Sequence, residues 1–235
     1  MRTSLLSLSM LAALPLLSTQ ALAEDSPISA NVALVSDYQY RGISQTNENM
    51  ALQGGFDYAH ESGFYAGTWG SNVSWLSDGN ADVSSSLEID VYGGYSTEFS
   101  GVGVDVGLLQ YLYPGNYPAG YNSADTLEGY VGVSYGPVSL KISHSFTDLF
   151  GVEDSEGSQY YDLSASHEIA GFTIDAHFGR QKIEDCDGCS YNDWKLGVGT
   201  SVMGFDVGLA YVDTDIDSSV DIADQRVILS VGKSF

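Results

Sequence analysis

The chain has 235 residues, with 8 Lys and Arg against 31 Asp and Glu, and a formal net charge of −23 at pH 7. This length suits one domain or one large β architecture, and a hydrophobic share of 43% argues against a charge-driven disordered chain. Because nucleic-acid binding needs clustered basic residues to neutralise phosphates, the acidic balance argues against nucleic acid as a partner.

The first 23 residues have the pattern of a signal peptide. Arg2 supplies a positive start, Leu5–Leu17 form an apolar stretch, and the residues ALA at 21–23 give a small-x-small cleavage site. We therefore predict a signal peptide over 1–23, cleaved near Ala23, and an exported domain over 24–235. The apolar stretch is too short for a spanning helix.

Apolar and polar residues alternate with a period of two from residue 28 to the end, which predicts strands. On the first strand Val32, Leu34, Tyr38 and Tyr40 share one predicted face. The segments number about twelve, and we predict strands over 29–41, 51–60, 63–74, 84–97, 101–113, 124–135, 137–147, 157–168, 171–182, 191–202, 204–214 and 223–235.

Short and long connections alternate along this whole series. The short ones fall at 60–63, 99–101, 135–137, 168–171 and 203–204, and the long, mostly acidic ones at 42–50, 75–83, 114–123, 148–156, 183–190 and 215–222. An up-and-down antiparallel meander with two different ends predicts this alternation.

The alternation alone fits a soluble sandwich as well as a membrane barrel, and three features favour the barrel. One is the alternation of turns. Another is the last strand, which ends on the aromatic Phe235, a position that we interpret as an assembly signal for the outer-membrane machinery. The third is a set of aromatic residues near strand ends, where interfacial girdles belong: Tyr38, Tyr40, Tyr58, Trp69, Trp75, Tyr111, Tyr113, Tyr191 and Trp194.

A sheet in lipid must close, because an open edge would leave backbone groups without partners in hydrocarbon. We therefore predict an all-β fold, an antiparallel up-and-down transmembrane β-barrel of about 12 strands in the outer membrane of a Gram-negative bacterium. Barrels of about eight strands are filled by side chains, and barrels of about sixteen strands enclose an aqueous channel, so a barrel of twelve strands is intermediate in width.

Several stretches resemble one family of outer-membrane proteins. SDYQYRGISQ at 36–45 is similar to the opening of the TorF porin family, whose members are otherwise catalogued as conserved bacterial proteins of unknown function. Further similar pieces are QGGFDY at 53–58, GFYAGTWGSN at 63–72, EIDVYGGY at 88–95, YPG at 113–115 and YVDTD at 211–215. The resemblance implies an outer-membrane barrel with a pore, and it brings no substrate and no functional residues.

The polar face predicts which charged side chains enter the lumen. The carboxylates are Asp37, Asp57, Glu88, Asp90, Asp105, Glu128, Asp162, Asp175 and Asp206, and the basic side chains are Arg41, Lys141, Lys195 and Arg226. Rings of carboxylates facing water select for cations. The alternative is that acids and bases pair and plug the lumen, and the sequence leaves both open.

The loops offer weaker signals. Cys186 and Cys189 form a lone C-x₂-C, for which an exported location favours a local disulfide over a zinc site with too few ligands. Asp213, Asp215 and Asp217 lack the glycine and glutamate of a calcium loop. We predict no metal and no cofactor.

An outer-membrane hydrolase is the enzyme alternative. It requires a histidine and a serine on one face near the outer rim. His144 has its serines on the opposite face, while His60 and His167 lie near short turns and His177 has no serine two residues away. We therefore predict no enzymatic activity.

The sequence thus predicts a porin-like channel for passive diffusion of small hydrophilic solutes, leaning toward cations. A closed barrel with a structural role, or one that binds through its surface loops, is the alternative. The expected partners are outer-membrane lipid and lipopolysaccharide, the barrel assembly machinery and small solutes. The pattern does not define an oligomeric state.

Overall fold

The structure, a computed structural model, describes residues 26–217 and 220–235. The predicted signal peptide and its cleavage site lie outside these residues. No helix within the described ranges is long and apolar enough to cross a membrane.

Twelve antiparallel strands form a closed barrel, and two further short strands pair only with each other. The strands are β1 Ile28–Val35, β2 Gln39–Tyr40, β3 Ile43–Ser44, β4 Ala51–Ala59, β5 Phe64–Asn72, β6 Leu87–Phe99, β7 Val102–Leu112, β8 Thr126–Tyr135, β9 Val138–Ser145, β10 Gln159–Ile169, β11 Phe172–Lys182, β12 Tyr191–Val202, β13 Phe205–Thr214 and β14 Arg226–Ser234. A five-residue helix, α1 Trp75–Gly79, and a 3₁₀ turn, Asp221–Ala223, lie in the connections. The predicted fold class is confirmed.

The barrel closes between its first and last strands. β1 pairs with β14 and, on its other edge, with β4. The backbone N–H of Phe235 donates to the Ala30 carbonyl, and the Ala30 N–H donates to the Phe235 carbonyl. Closure in this way leaves no strand edge exposed.

The two ends of the barrel differ as the sequence predicts. At one end, here the short-turn end, three hairpins turn through a pair of residues with positive φ: Ser100 and Gly101, Ala170 and Gly171, and Met203 and Gly204. Two consecutive positive φ angles match the right-handed twist of paired strands. The short β4–β5 and β8–β9 turns lie at the same end. The other end, the long-loop end, carries the longer connections.

The apolar side chains of the strands point out of the barrel, and the polar ones point in. On β6, for example, Val91 is exposed on the outer surface while Glu88 and Asp90 are buried in the interior. The same alternation holds on β7, where Val104 and Val106 face outward and Asp105 faces inward. The barrel therefore presents an apolar belt to its surroundings.

The first strand departs from its prediction. β1 ends at Val35, and Ser36 still contacts β14 through its N–H, which donates to the Leu229 carbonyl. The chain turns into the barrel after Ser36. The prediction that Tyr38 and Tyr40 share the outer face of Val32 and Leu34 is wrong, since both tyrosines are buried inside the barrel.

Candidate functional site

Residues 36–50, here called the plug, fold into the lumen from the long-loop end. Within the plug, β2 and β3 form a hairpin whose turn residues, Arg41 and Gly42, both have positive φ. A Cβ at Gly42 would collide with Asp193 and Thr214 on the wall. Glycine therefore lets the tip of the plug approach the wall closely.

Arg41 carries the main polar contact between the plug and the wall. Its guanidinium donates to both carboxylate oxygens of Glu128 on β8, at 2.9 and 2.7 Å, and to Oε1 of Gln181 on β11, at 2.7 Å. Its Cζ lies 4.8 Å from the ring centroid of Tyr40 and 4.3 Å from that of Tyr160. Burial opposes the charge, but the Glu128 carboxylate favours it, and the pKa of Arg41 is raised above its ordinary value.

Three further contacts anchor the plug around the lumen. Arg226 Nη1 on β14 donates to Asp37 Oδ2 at 3.0 Å, and the Tyr38 hydroxyl donates to Glu88 Oε1 on β6 at 2.9 Å. The hydroxyls of Tyr40 and Tyr111 on β7 are 2.6 Å apart. Together with Arg41, these contacts hold the plug to opposite sides of the barrel.

An aromatic core fills the lumen around the plug. Tyr38 packs edge-on against Trp69, and Tyr40 packs against Tyr111 and Phe150. A cavity of about 20 Å³ remains between the plug and the wall formed by β12, β13 and β14. That volume suits a single water molecule and excludes a solute. The plug and this aromatic core therefore occupy the lumen in the long-loop half of the barrel.

The aromatic girdle predicted from the sequence is largely wrong. Six of the nine residues are buried inside the barrel or its loops: Tyr38, Tyr40, Trp69, Tyr111, Tyr113 and Tyr191. Trp75 lies in α1 and packs against Tyr113, whereas Tyr58 is exposed on the outer face. Trp194 is half-buried on the outward-facing register of β12. The aromatic residues mainly pack the plug rather than line an interface.

Below the plug, the interior is polar and densely hydrogen-bonded. The Tyr92 hydroxyl donates to Asp57 at 2.5 Å, and the Tyr65 hydroxyl donates to Asp105 at 2.6 Å. Lys195 on β12 lies 3.4 Å from Asp175 on β11. Tyrosine hydroxyls and one basic side chain therefore contact these three carboxylates.

The interior also holds a histidine between two carboxylates. His177 Nδ1 lies 3.2 Å from Asp162, and its Nε2 lies 2.8 Å from Asp193. Ser164 faces His177 across the β10–β11 pair, with Oγ 3.3 Å from Nδ1. The Ser164 hydroxyl donates to Asp162 Oδ1 at 2.5 Å, so its proton is directed at the carboxylate rather than at the imidazole. The cross-strand pairing was missed because the sequence search looked only along one strand.

All of the predicted lumen residues lie on the inner side. Asp37 and Arg41 belong to the plug, and the remaining ones project from the strands: Asp57, Glu88, Asp90, Asp105, Glu128, Lys141, Asp162, Asp175, Lys195, Asp206 and Arg226. Asp162 and Lys141 are direct partners across β9 and β10. Asp90 does not pair with Arg41 or Lys141, and its Oδ1 finds no hydrogen-bond donor among the described residues.

Sequence reasoning missed several inner residues that the same parity would have found. Asp193 lies two residues from Lys195, Tyr160 lies two from Asp162, and Gln181 lies an even number of residues from Asp175. All three contribute to the site around Arg41. The inward register therefore adds one further carboxylate, Asp193, and two uncharged residues, Tyr160 and Gln181, that contact Arg41.

The long loops form an acidic surface. A cavity of about 650 Å³ there is lined by His144, Asp148, Glu153, Asp154, Glu156, Gly157 and Asp185. Cys186 and Cys189 form a disulfide with a Cα separation of 5.5 Å. In the described part of the chain, no group of three His, Cys, Asp or Glu side chains is arranged to hold a metal ion.

Solved porin structures share this fold. The KdgM porin has a TM-score of 0.55 at 9% identity, covering 88% of this chain and 98% of that chain. KdgM in complex with disordered oligogalacturonate has a TM-score of 0.52 at 8% identity, with coverages of 88% and 97%. The NanC porin has a TM-score of 0.52 at 11% identity, with coverages of 87% and 97%. At these identities, the likeness shows the fold alone.

The sequence comparisons give a family without an activity. The model of a family described as "Bacterial protein of unknown function (Gcw_chp)" matches residues 21–235. No sequence among curated proteins matches this chain. The expectation of a conserved bacterial family of unknown function is confirmed, whereas the name TorF does not occur in the match.

Proposed function

We propose that this chain, which belongs to the Gcw_chp family of bacterial proteins of unknown function, is an outer-membrane channel for small hydrophilic solutes that its plug holds closed. The observation that carries the proposal is that the plug takes no part in the strand pairing of the barrel wall. β2 and β3 pair with each other and with no barrel strand, so the wall is complete without them. A barrel of twelve strands without its plug is wide enough for a narrow aqueous lumen.

The outer surface supports the membrane location. A closed barrel with an apolar belt satisfies its backbone internally, which a lipid environment requires. We propose the usual orientation of outer-membrane barrels, in which the short turns face the periplasm and the acidic long loops face the outside of the cell. Lipopolysaccharide would then contact the outer part of the barrel, and the assembly machinery would engage the strand that ends at Phe235.

The charge of the interior supports a preference for cations. The described lumen carries the nine carboxylates named above together with Asp193, against Arg41, Lys141, Lys195 and Arg226. Oligogalacturonate, the ligand in one KdgM structure, is a polyanion, and an acidic interior would repel it. We therefore propose that the solutes of this channel are neutral or cationic. We also propose that the barrel acts as a channel and not as an enzyme.

A second function has one observation in its favour. Tyr38 and Tyr40 of the plug are buried in one hydrophobic cluster with Trp69 of the wall. A barrel that never opens would then act through its acidic outer loops, as a structural or binding protein.

Conductance of the purified protein in planar bilayers separates these functions. Discrete openings that appear with each insertion support the channel, with brief events expected because the plug is seated. Folded barrels that insert and stay silent, both with and without the plug, would support the closed barrel.

A further inference from the structure

The group that holds Arg41 is built almost wholly from the barrel wall. Glu128 and Gln181 accept from the guanidinium, and the Tyr160 ring lies 4.3 Å from its Cζ. A carboxylate, an amide oxygen and an aromatic face together form a site for a planar cation with several N–H donors. These three wall groups would remain if the Arg41 side chain left.

Carboxylates outnumber basic side chains around this site, where Lys141 of β9 also interacts electrostatically with Arg41 and Glu128. Asp90 Oδ1 is buried without a hydrogen-bond donor in the described ranges. Asp193 lies beside the tip of the plug and accepts from the Tyr160 hydroxyl at 2.9 Å. The basic side chain nearest the entry of the plug, Arg226, is matched by Asp37 of the plug itself. A lumen without Arg41 would therefore attract a cation at this level.

The plug can leave without breaking the barrel. Val35 and Ala51, the wall residues that flank the plug, are paired in the β1–β4 register. The anchors within the lumen are side-chain contacts made by Asp37, Tyr38, Tyr40 and Arg41. At the long-loop end, the Gln45 carbonyl also accepts from the backbone N–H groups of Ser74 and Trp75, and release would break these two bonds as well. A solute that competes for one of these contacts would shift the plug toward release.

We propose that Arg41 is an internal ligand, occupying a wall site of Glu128, Gln181 and Tyr160 that binds guanidinium-bearing solutes, which compete with Arg41 and release the plug. This inference rests on the proposed channel and names its solute class. A guanidinium group has the same planar fork of N–H donors as the Arg41 side chain that occupies the site, whereas an ammonium group has only the same charge.

A reporter on the plug tests the competition without any current. In a background with Cys186→Ser and Cys189→Ser, Gln39→Cys places a thiol in the buried hairpin. Folded protein in detergent is treated with a membrane-impermeant maleimide, with ethylguanidinium chloride as the probe. We expect ethylguanidinium to accelerate labelling at least fivefold, and an equal concentration of sodium chloride to leave it unchanged.

Variants of the site and an outer arginine give the controls. Without the probe, the Arg41→Ala variant should be labelled rapidly. The labelling rate of Arg41→Lys should lie between that of Arg41→Ala and that of the parent protein. With Glu128→Gln, ethylguanidinium should add nothing to the labelling rate. Arg180→Ala, which removes an exposed arginine next to Gln181, should respond as the parent does. Folding of each variant is checked by its heat-modifiable gel mobility.

The outcomes separate this inference from the proposed channel. Equal acceleration by sodium chloride, no acceleration, or an unchanged response in Glu128→Gln would overturn the guanidinium site, even if the barrel conducts. A guanidinium-dependent release of the plug in a barrel that never conducts would leave the site standing and overturn the channel.

Discussion

Arg41 and Glu128 are 87 residues apart in the sequence and 2.7 Å apart in the lumen. The first belongs to the plug that follows β1, and the second projects from β8, which is five strands from β1 one way round the barrel and seven the other. The contact therefore crosses the barrel. Both side chains are almost fully buried, so each is the main opposite charge that compensates the other.

Glu128→Gln should lower the free energy of unfolding by about 3 kcal/mol, because removing one partner of a buried pair leaves the other charge uncompensated. The measurement is the urea midpoint of the purified barrel in detergent, followed by tryptophan fluorescence. Glu153→Gln, in an exposed part of the loop after β9, is the control and should leave the midpoint unchanged. Equal midpoints for both variants would contradict the importance of the Arg41–Glu128 pair.

Changing Phe235 to Asp should sharply reduce the yield of folded barrel. Phe235 exchanges backbone hydrogen bonds with Ala30 at the closing seam, and its ring is exposed near Lys233. The yield is read from heat-modifiable mobility in cell envelopes. Phe99→Asp changes an exposed aromatic residue at the same end of the barrel and should retain more folded protein. Wild-type yield in the Phe235 variant would refute an assembly role.

Glu153→Cys should label from outside on intact cells, in the background without Cys186 and Cys189. Residues 148–156 belong to a long connection, and long connections face outward in outer-membrane barrels. Ser155, in the same loop, is fully buried and therefore unsuitable as a reporter. Glu61→Cys, in a short turn, should label only after the outer membrane is broken. The reverse pattern would invert the proposed orientation.

The strands and turns were predictable because their signals are local. Alternation of period two marks Leu87 to Val91, and a glycine marks the hairpin at 203–204. The plug was not predictable in the same way. The alternation continues unbroken through Asp37 and Arg41, and only contacts with distant residues such as Glu128 turn this stretch inward.

The inward direction of some aromatic residues could have been predicted from the sequence. Tyr111 has the same parity as Asp105 on β7, and Tyr191 has the same parity as Lys195 on β12. Their inward direction therefore follows from the register that placed the charged residues inside. Trp75 and Tyr113 lie outside the strands, where parity gives no direction.

Neutralising Glu88 and Asp90 together, to Gln and Asn, should weaken a preference for K⁺ over Cl⁻. Both carboxylates face the lumen from β6, and neither is paired with a basic side chain among the ion pairs of the described residues. The reversal potential in a KCl gradient gives the preference, and salt should blunt it, since the Debye length falls from about 10 Å at 0.1 M to about 3 Å at 1 M.

The matched control for selectivity is Glu153→Gln with Asp154→Asn, which removes two exposed carboxylates from a long loop. It should change the reversal potential less than the lumen pair does. An anion-selective pore, or one that responds equally to both pairs, would mean that Glu88 and Asp90 do not act on the permeating ions.

The central claim is that residues 36–50 close a barrel that would otherwise conduct. Because Val35 and Ala51 are paired neighbours, a short Gly-Ser turn can replace residues 37–49 without stretching the wall. The single-channel conductance of this variant in planar bilayers is the direct measurement, compared with that of the full chain. The account predicts long, steady openings in the variant and brief, infrequent ones in the full chain. A correctly folded variant that inserts and remains as silent as a closed barrel would contradict it.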